Sequence, residues 1–321
     1  MNKKIIIVGG DPNSINSEII FKTWKSFDKK TRNKIYLIAN FELLDQQFKK
    51  LKLKIDLFRI KNLVDKNTIN SLKVIDIPLK FNDPFFVSKS ESTKYITKSL
   101  QLAHQLSIDK KIKGFINCPI NKKLISKNGK IGITEYLASK CKINDGSEVM
   151  LIYNKKLSVV PITTHLDIKD VSKNITTKLI VKKVYTLNKF YKKFFKKKPR
   201  IGILGLNPHN AELRKNSEEI QKINPAIKKL RLERINISNL LVSDTFFMNK
   251  YKKFDVVIGM YHDQVLGPFK TLFNFDAINI TLGLDYTRVS PDHGPAYDLI
   301  GKNKSNNLSL FNCVKFLKNL K

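Results

Sequence analysis

His165, His209 and His262, three of the five histidines in the chain, each follow a short apolar run: VVPITT, IGILGLNP and DVVIGMY. Runs of this length and make-up read as buried parallel strands, each handing its histidine to the loop beyond. In open α/β folds, ligands bind in the crevice outside the carboxyl ends of the strands. Three neutral imidazoles from three strand ends would make a divalent-metal site with an open position. The competing reading is three ordinary hydrogen-bonded histidines, and the equivalent position of all three weighs against it. Asp263 and Gln264 follow His262 at once, so Asp263 is a candidate carboxylate partner for the ring, or a proton acceptor. His104 falls within a helical stretch and reads as structural.

Further along, Lys270, Asn279 and Arg288 supply groups suited to an anion. An ammonium and a guanidinium on one site would hold a carboxylate or phosphate. Arg288 stands out because lysine is the default base of this chain. The block Asp292-His293-Gly294-Pro295-Ala296 reads as a tight polar turn before a short helix, able to present backbone groups and an imidazole to a flat cofactor ring. In GITEYL (132–137), Thr134 is expected to cap a helix whose free N–H groups would hold a phosphate. NCPINKK (117–123) reads as a strand-to-helix loop. The first turn, Gly9-Gly10-Asp11-Pro12, runs into Asn13, Ser14, Ile15 and Asn16, so it lacks the third glycine of a dinucleotide fingerprint.

The elements that must position these groups alternate. Strands are predicted at 4–8, 35–39, 74–77, 114–117, 149–153, 158–163, 200–206, 238–242, 255–260 and 277–281, with helices over 91–108, 175–195 and 217–232. That alternation predicts an α/β protein with mainly parallel strands. The 321 residues suffice for two domains, and 42% hydrophobic content supplies a sizeable core. A net charge of +33 raises nucleic acid or an acidic membrane as partner. The lysines are spread along the whole chain, however, and predict a solvated basic surface that attracts anionic substrates. KFYKKFFKKKPR (189–200) interleaves aromatics with lysines and reads as the end of an amphipathic helix, phenylalanines inward, stopped by Pro199. Three scattered cysteines, no membrane-length apolar run and an opening run too short for a signal peptide predict a cytoplasmic protein, bound to neither membrane nor nucleic acid.

The segments TTHLDIKDV (163–171), GLNPHNAE (205–212), SDTFF (243–247), MYHDQVLGPFK (260–270) and NITLGLDYTRVSPDHGPAYDLIGK (279–302) together resemble the 4-hydroxythreonine-4-phosphate dehydrogenase family of pyridoxal phosphate biosynthesis. The resemblance spans nearly the whole chain. It implies two α/β/α domains with a cleft between them, as in isocitrate and isopropylmalate dehydrogenases, with approximate boundaries 1–125 plus 275–321 and 126–274. It implies a homodimer with its active site at the subunit interface. His165, His209 and His262 would bind one divalent metal (zinc, magnesium or cobalt) shared across that interface. Thr134, Lys270, Asn279 and Arg288 match substrate-binding positions, and Lys270 and Asp263 are the catalytic candidates. Asp292, His293, Gly294, Ala296 and Asp298 would lie by NAD or NADP. The implied substrate is 4-phosphohydroxy-L-threonine, oxidised to a β-keto acid that loses carbon dioxide to give 3-amino-2-oxopropyl phosphate.

Three departures stand out. Ile133 occupies the place of a family histidine that contacts substrate. Ser14 and Asn16 replace glycines of the first turn, and Leu213-Arg214-Lys215 replaces a glycine-rich tail after the second metal histidine. They leave two alternatives open: a dehydrogenase of a related sugar-acid phosphate (threonate or erythronate), and a non-catalytic binding protein on the same fold.

Overall fold

The structure is a computed structural model and describes residues 4–63, 70–112, 114–126, 132–143 and 145–320. Among them run twelve strands: β1 (Ile5–Val8), β2 (Ile35–Ala39), β3 (Asp56–Ile60), β4 (Ser71–Asp76), β5 (Gly114–Asn117), β6 (Val149–Tyr153), β7 (Ser158–Pro161), β8 (Ile201–Leu204), β9 (Ile237–Leu241), β10 (Val256–Gly259), β11 (Ile278–Leu282) and β12 (Thr287–Pro291). The chain divides into two compact units, residues 1–133 with 285–320, and residues 134–284. Each is an α/β unit.

The first unit orders its strands β3-β4-β2-β1-β5-β12, every neighbour parallel. β1 and β2 are apolar and buried along their whole length, as parallel strands covered on both faces must be. Helices Asn16–Lys25, Phe41–Lys50, Lys89–Ile108 and Leu308–Asn319 belong to this unit. The third begins with a capping sequence, Ser88 accepting from the Glu91 N–H at 3.3 Å. His104 on that helix meets the Tyr286 hydroxyl at 2.8 Å, in keeping with a structural role. β3, β12 and three of the four helices were not predicted. β12 is buried throughout yet reads TRVSP, which carries no apolar run.

The second unit orders its strands β11-β6-β7-β10-β8-β9. The expected mainly parallel arrangement has an antiparallel exception here. β6 runs antiparallel to both β7 and β11, while β7, β10, β8 and β9 are parallel. The cause is local: only the turn 154–157 separates β6 from β7, and so short a link joins only antiparallel neighbours. β11 pairs with β6 over Ile278–Leu282, so residues 275–284, expected in the first domain, fold with the second unit. Met150, Ile152, Val159, Leu204, Phe246, Val257 and Phe269 form a core cluster of this unit. The basic run at 189–200 behaves as expected. Phe190 and Tyr191 are buried, Phe194 and Phe195 half-buried and the lysines exposed, although Tyr191–Phe195 widens into a π-helical turn. No helix among the described residues is long and apolar enough to cross a membrane.

Candidate functional site

Two of the three candidate ligands come together in the second unit. His165 lies four residues beyond β7. His262 opens a helix, His262–Phe273, rather than sitting in a loop as expected. β7 and β10 are adjacent parallel strands, and the two imidazole centroids lie 6.2 Å apart. Each ring has a carboxylate at Nδ1: Asp263 Oδ1 at 2.6 Å from His262, and Glu135 Oε1 at 3.6 Å from His165. The bond to Asp263 fixes the His262 tautomer and leaves its other nitrogen as a lone-pair donor, the usual arrangement of metal-binding histidine, whereas Glu135 stands beyond hydrogen-bond reach and acts on His165 through its charge. Burial works to raise the Glu135 carboxyl, but the His165 ring beside it and the Thr164 hydroxyl outweigh that and bring it down to about 2. Among the described residues, His165 Nδ1 and Glu135 Oε2 are both buried with no hydrogen-bond partner, polar atoms that a bound group would satisfy.

His209 is exposed on the turn Pro208–Leu213 after β8. Among the described residues, no group of three His, Cys, Asp or Glu side chains of one chain is placed to hold a metal ion. The turn has an unusual backbone: His209, Asn210, Ala211, Glu212 and Leu213 all take positive φ, between 49° and 57°. A non-glycine residue there costs about 1–2 kcal/mol. Leu213 is 57% exposed, so a glycine in its place gives up little packing and removes the clash. After allowing for the extra freedom of an unfolded glycine, L213G should stabilise the protein by about 0.5–1 kcal/mol. A melting temperature unchanged or lowered in a thermal scan would contradict this.

Thr134 is not the expected helix cap. The helix Ile133–Lys140 starts one residue earlier, and the buried Thr134 hydroxyl instead meets Thr281 Oγ1 on β11 at 3.2 Å. Two residues before Thr281 on that strand stands Asn279, whose Oδ1 is buried and has no partner among the described residues. Ile133 is half-buried and Lys270 is exposed on the His262 helix. A cavity of about 470 Å³ is lined by Asp244, Tyr261, Asp263 and Gln264, and one of about 540 Å³ by His209, Asn210 and Leu213.

The remaining candidates belong to the first unit. Arg288 on β12 is 2% exposed and donates from Nε to Asn117 Oδ1 at 2.6 Å. Asp292, His293, Gly294 and Ala296 form the turn after β12, and Asp298 lies in the short helix Tyr297–Leu299. This segment is tied to the first turn of the chain. Ile15 N–H donates to Pro295 O at 3.2 Å, and the Tyr297 hydroxyl to Asp11 Oδ2 at 3.3 Å. Burial raises the Asp11 carboxyl, against the hydrogen bonds it accepts. The substituted positions of that turn are buried and bonded. Ser14 Oγ donates to Asp11 O at 2.6 Å, and Asn16 Nδ2 to Pro119 O at 2.9 Å. Asp11, Asn117 and Glu135 were not singled out from the sequence as neighbours of these candidates, because the groups they meet lie far away in the chain.

Residues 30–317 match the family of the pyridoxal phosphate biosynthetic protein PdxA. The chain belongs to this family of NAD(P)-dependent dehydrogenases. It is 39% identical over 320 residues to a 4-hydroxythreonine-4-phosphate dehydrogenase of Sulfurihydrogenibium sp., covering 97% of this chain and 96% of that one. It is 31% identical to an Oceanobacillus iheyensis protein provisionally named D-threonate 4-phosphate dehydrogenase, covering 94% and 93%. A crystal structure of the Klebsiella pneumoniae 4-hydroxythreonine-4-phosphate dehydrogenase superposes with a TM-score of 0.83 at 26% identity, covering 98% of both chains.

Proposed function

We propose that this protein oxidises 4-phosphohydroxy-L-threonine with NAD or NADP to a β-keto acid that loses carbon dioxide, giving 3-amino-2-oxopropyl phosphate. The observation that carries the reading is the His165–His262 pair with a carboxylate at each Nδ1, in a chain of the PdxA family. The two units are then the domains of an isocitrate/isopropylmalate dehydrogenase-like architecture in a homodimer. His165 and His262 of one chain, with His209 of a second copy, would hold the divalent metal. Imidazole donors favour zinc or cobalt over magnesium.

A metal held there would supply the positive charge that lowers the pKa of the substrate hydroxyl and offsets the charge left on loss of carbon dioxide, and NAD or NADP would supply the hydride acceptor. Glu135 and Asp263 hold the two rings in register. The second oxygen of Asp263, which lies outside its bond to His262, is the candidate acceptor of the hydroxyl proton. Lys270 is the candidate to return a proton as the C–C bond breaks and to steer the anionic substrate. Thr134 and Asn279 offer a hydroxyl and an amide to the substrate, and Arg288 a guanidinium. The segment Asp292–Asp298, fastened to the first turn, would present its backbone and His293 to the nicotinamide.

Two features favour a second substrate, a threonate or erythronate phosphate: apolar Ile133 where the family has a polar contact, and the likeness to the Oceanobacillus protein. Metal-loaded protein should form NADH with 4-phosphohydroxythreonine. I133H should raise kcat/KM for it about 10-fold, the value of one hydrogen bond to a charged group. Turnover of the sugar-acid phosphates alone would move the assignment to the second substrate. No turnover of any of them would leave a binding protein.

A further inference from the structure

We propose that Gln264 and Glu219 are positioning residues which fix the His209 turn, an inference that rests on the metal reading above. Backbone pairing between β10 and β8 ends at Ile258–Ile203. Beyond that point the two chains lead separately to His262 and His209. The Gln264 carboxamide spans the gap. Its Oε1 accepts the Met260 N–H at 2.7 Å, and its Nε2 donates to Gly205 O at 2.6 Å. One side chain thus does the work of a further rung in the ladder, between the residue two before His262 and the residue four before His209. The Met260 carbonyl in turn accepts from the Thr163 backbone and hydroxyl, which ties in the segment leading to His165.

Glu219 holds the same root from the other side. Its carboxylate is fully buried. Oε1 accepts the backbone N–H groups of Leu206 and Asn207, both at 2.8 Å, and Oε2 accepts Asn207 Nδ2 at 3.0 Å. Charge-assisted bonds in a buried setting are strong and directional. The turn then folds back onto its root. A Cβ on Gly205 would come within 2.2 Å of Asn210 Oδ1 and 3.2 Å of Glu219 Oε1. The left-handed run that carries His209 is intrinsically unfavourable, so it keeps its shape only while its root is clamped. Release of either clamp lets the run relax and carries His209 away from the position it must hold.

The test is Co²⁺ titration of the metal-stripped full chain, read by its d–d absorption and by competition with a chelator. The proteins compared are wild type, Q264L, E219Q, H209A and L151A, the last a core variant on β6, a strand that pairs with neither β8 nor β10. Q264L and E219Q should each weaken Co²⁺ binding about 10–100-fold, as loss of a group supporting a ligand does. L151A should lose thermal stability but not affinity. Wild-type affinity in both Q264L and E219Q, with H209A impaired, overturns the clamp. Equal loss of affinity in L151A at a matched drop in melting temperature overturns it too, since a general loosening then explains the effect. Wild-type affinity in H209A would instead remove His209 from the metal site and with it the reading on which the clamp depends.

Discussion

H165A is expected to lower kcat/KM by about 10³-fold or more and to abolish tight divalent-metal binding. The metal supplies several kcal/mol of charge stabilisation in reactions of this kind, and each 1.36 kcal/mol is a factor of ten. Among the described residues, no group of three His, Cys, Asp or Glu side chains within one chain is placed to hold a metal ion, so the proposed site depends on each histidine. The replacement also leaves the Glu135 carboxylate buried beside an empty space. E135Q separates these contributions. It keeps the volume and the acceptor for Thr164 but removes the charge beside the ring, so its loss should be smaller, about 10–100-fold. The measurement is steady-state NADH formation with metal content determined on the same samples. An H165A protein with near-wild-type turnover and full metal occupancy would sink the site.

G10A should destabilise the first unit by about 3 kcal/mol or more, for reasons of backbone shape alone. Gly10 has φ +77°, a region that an L-residue enters at a cost. A methyl group there would stand 2.6 Å from Pro119 O, 2.9 Å from Cys118 O and 2.6 Å from Asn16 Nδ2. Two of the three neighbours are backbone atoms, so no rotamer change relieves the clash. The chain must shift at the turn that also carries Asp11 and Ile15, the residues tying down the Asp292–Asp298 segment. G10A is therefore expected to melt several degrees below wild type and to show a raised KM for the nicotinamide cofactor. A variant with wild-type stability and cofactor KM would show that the turn tolerates the displacement and does not brace that segment.

The contrast between these two positions shows what the chain discloses as text. The histidines were legible because each follows a run of Val, Ile and Leu, and such runs announce buried strands regardless of context. β1, β2, β6 and β10 were legible for the same reason. β12 was not. Its buried Arg288 is satisfied by Asn117, far away in sequence, and nothing in TRVSP forecasts that partner. Glu135, Glu219 and Gln264 were opaque for the same cause. Each is an ordinary polar residue in or beside a helix until the fold brings it to a distant loop. The left-handed turn at His209 was beyond reading because Ala211, Glu212 and Leu213 give no sign of positive φ, where a glycine would have done. Thr134 misled because capping is a local rule, and here the strand partner Thr281 took the hydroxyl instead.

The order of strands in the second unit has a consequence for how the chain must be made. β10 pairs with β7 on one side and with β8 on the other, yet both precede it in sequence. As the polypeptide leaves the ribosome, two of the three histidine-bearing strands are complete before the strand that lies between them exists. They cannot close on each other without shutting out the third, so the slot has to stay open, or reopen, until β10 arrives. Insertion of a central parallel strand joins distant parts of the chain and is intrinsically slow. Its arrival brings His262 to His165 and completes the hydrophobic floor beneath them in the same act. A nascent chain would thus have no paired imidazoles to offer a metal ion at the proposed site until β10 is in place.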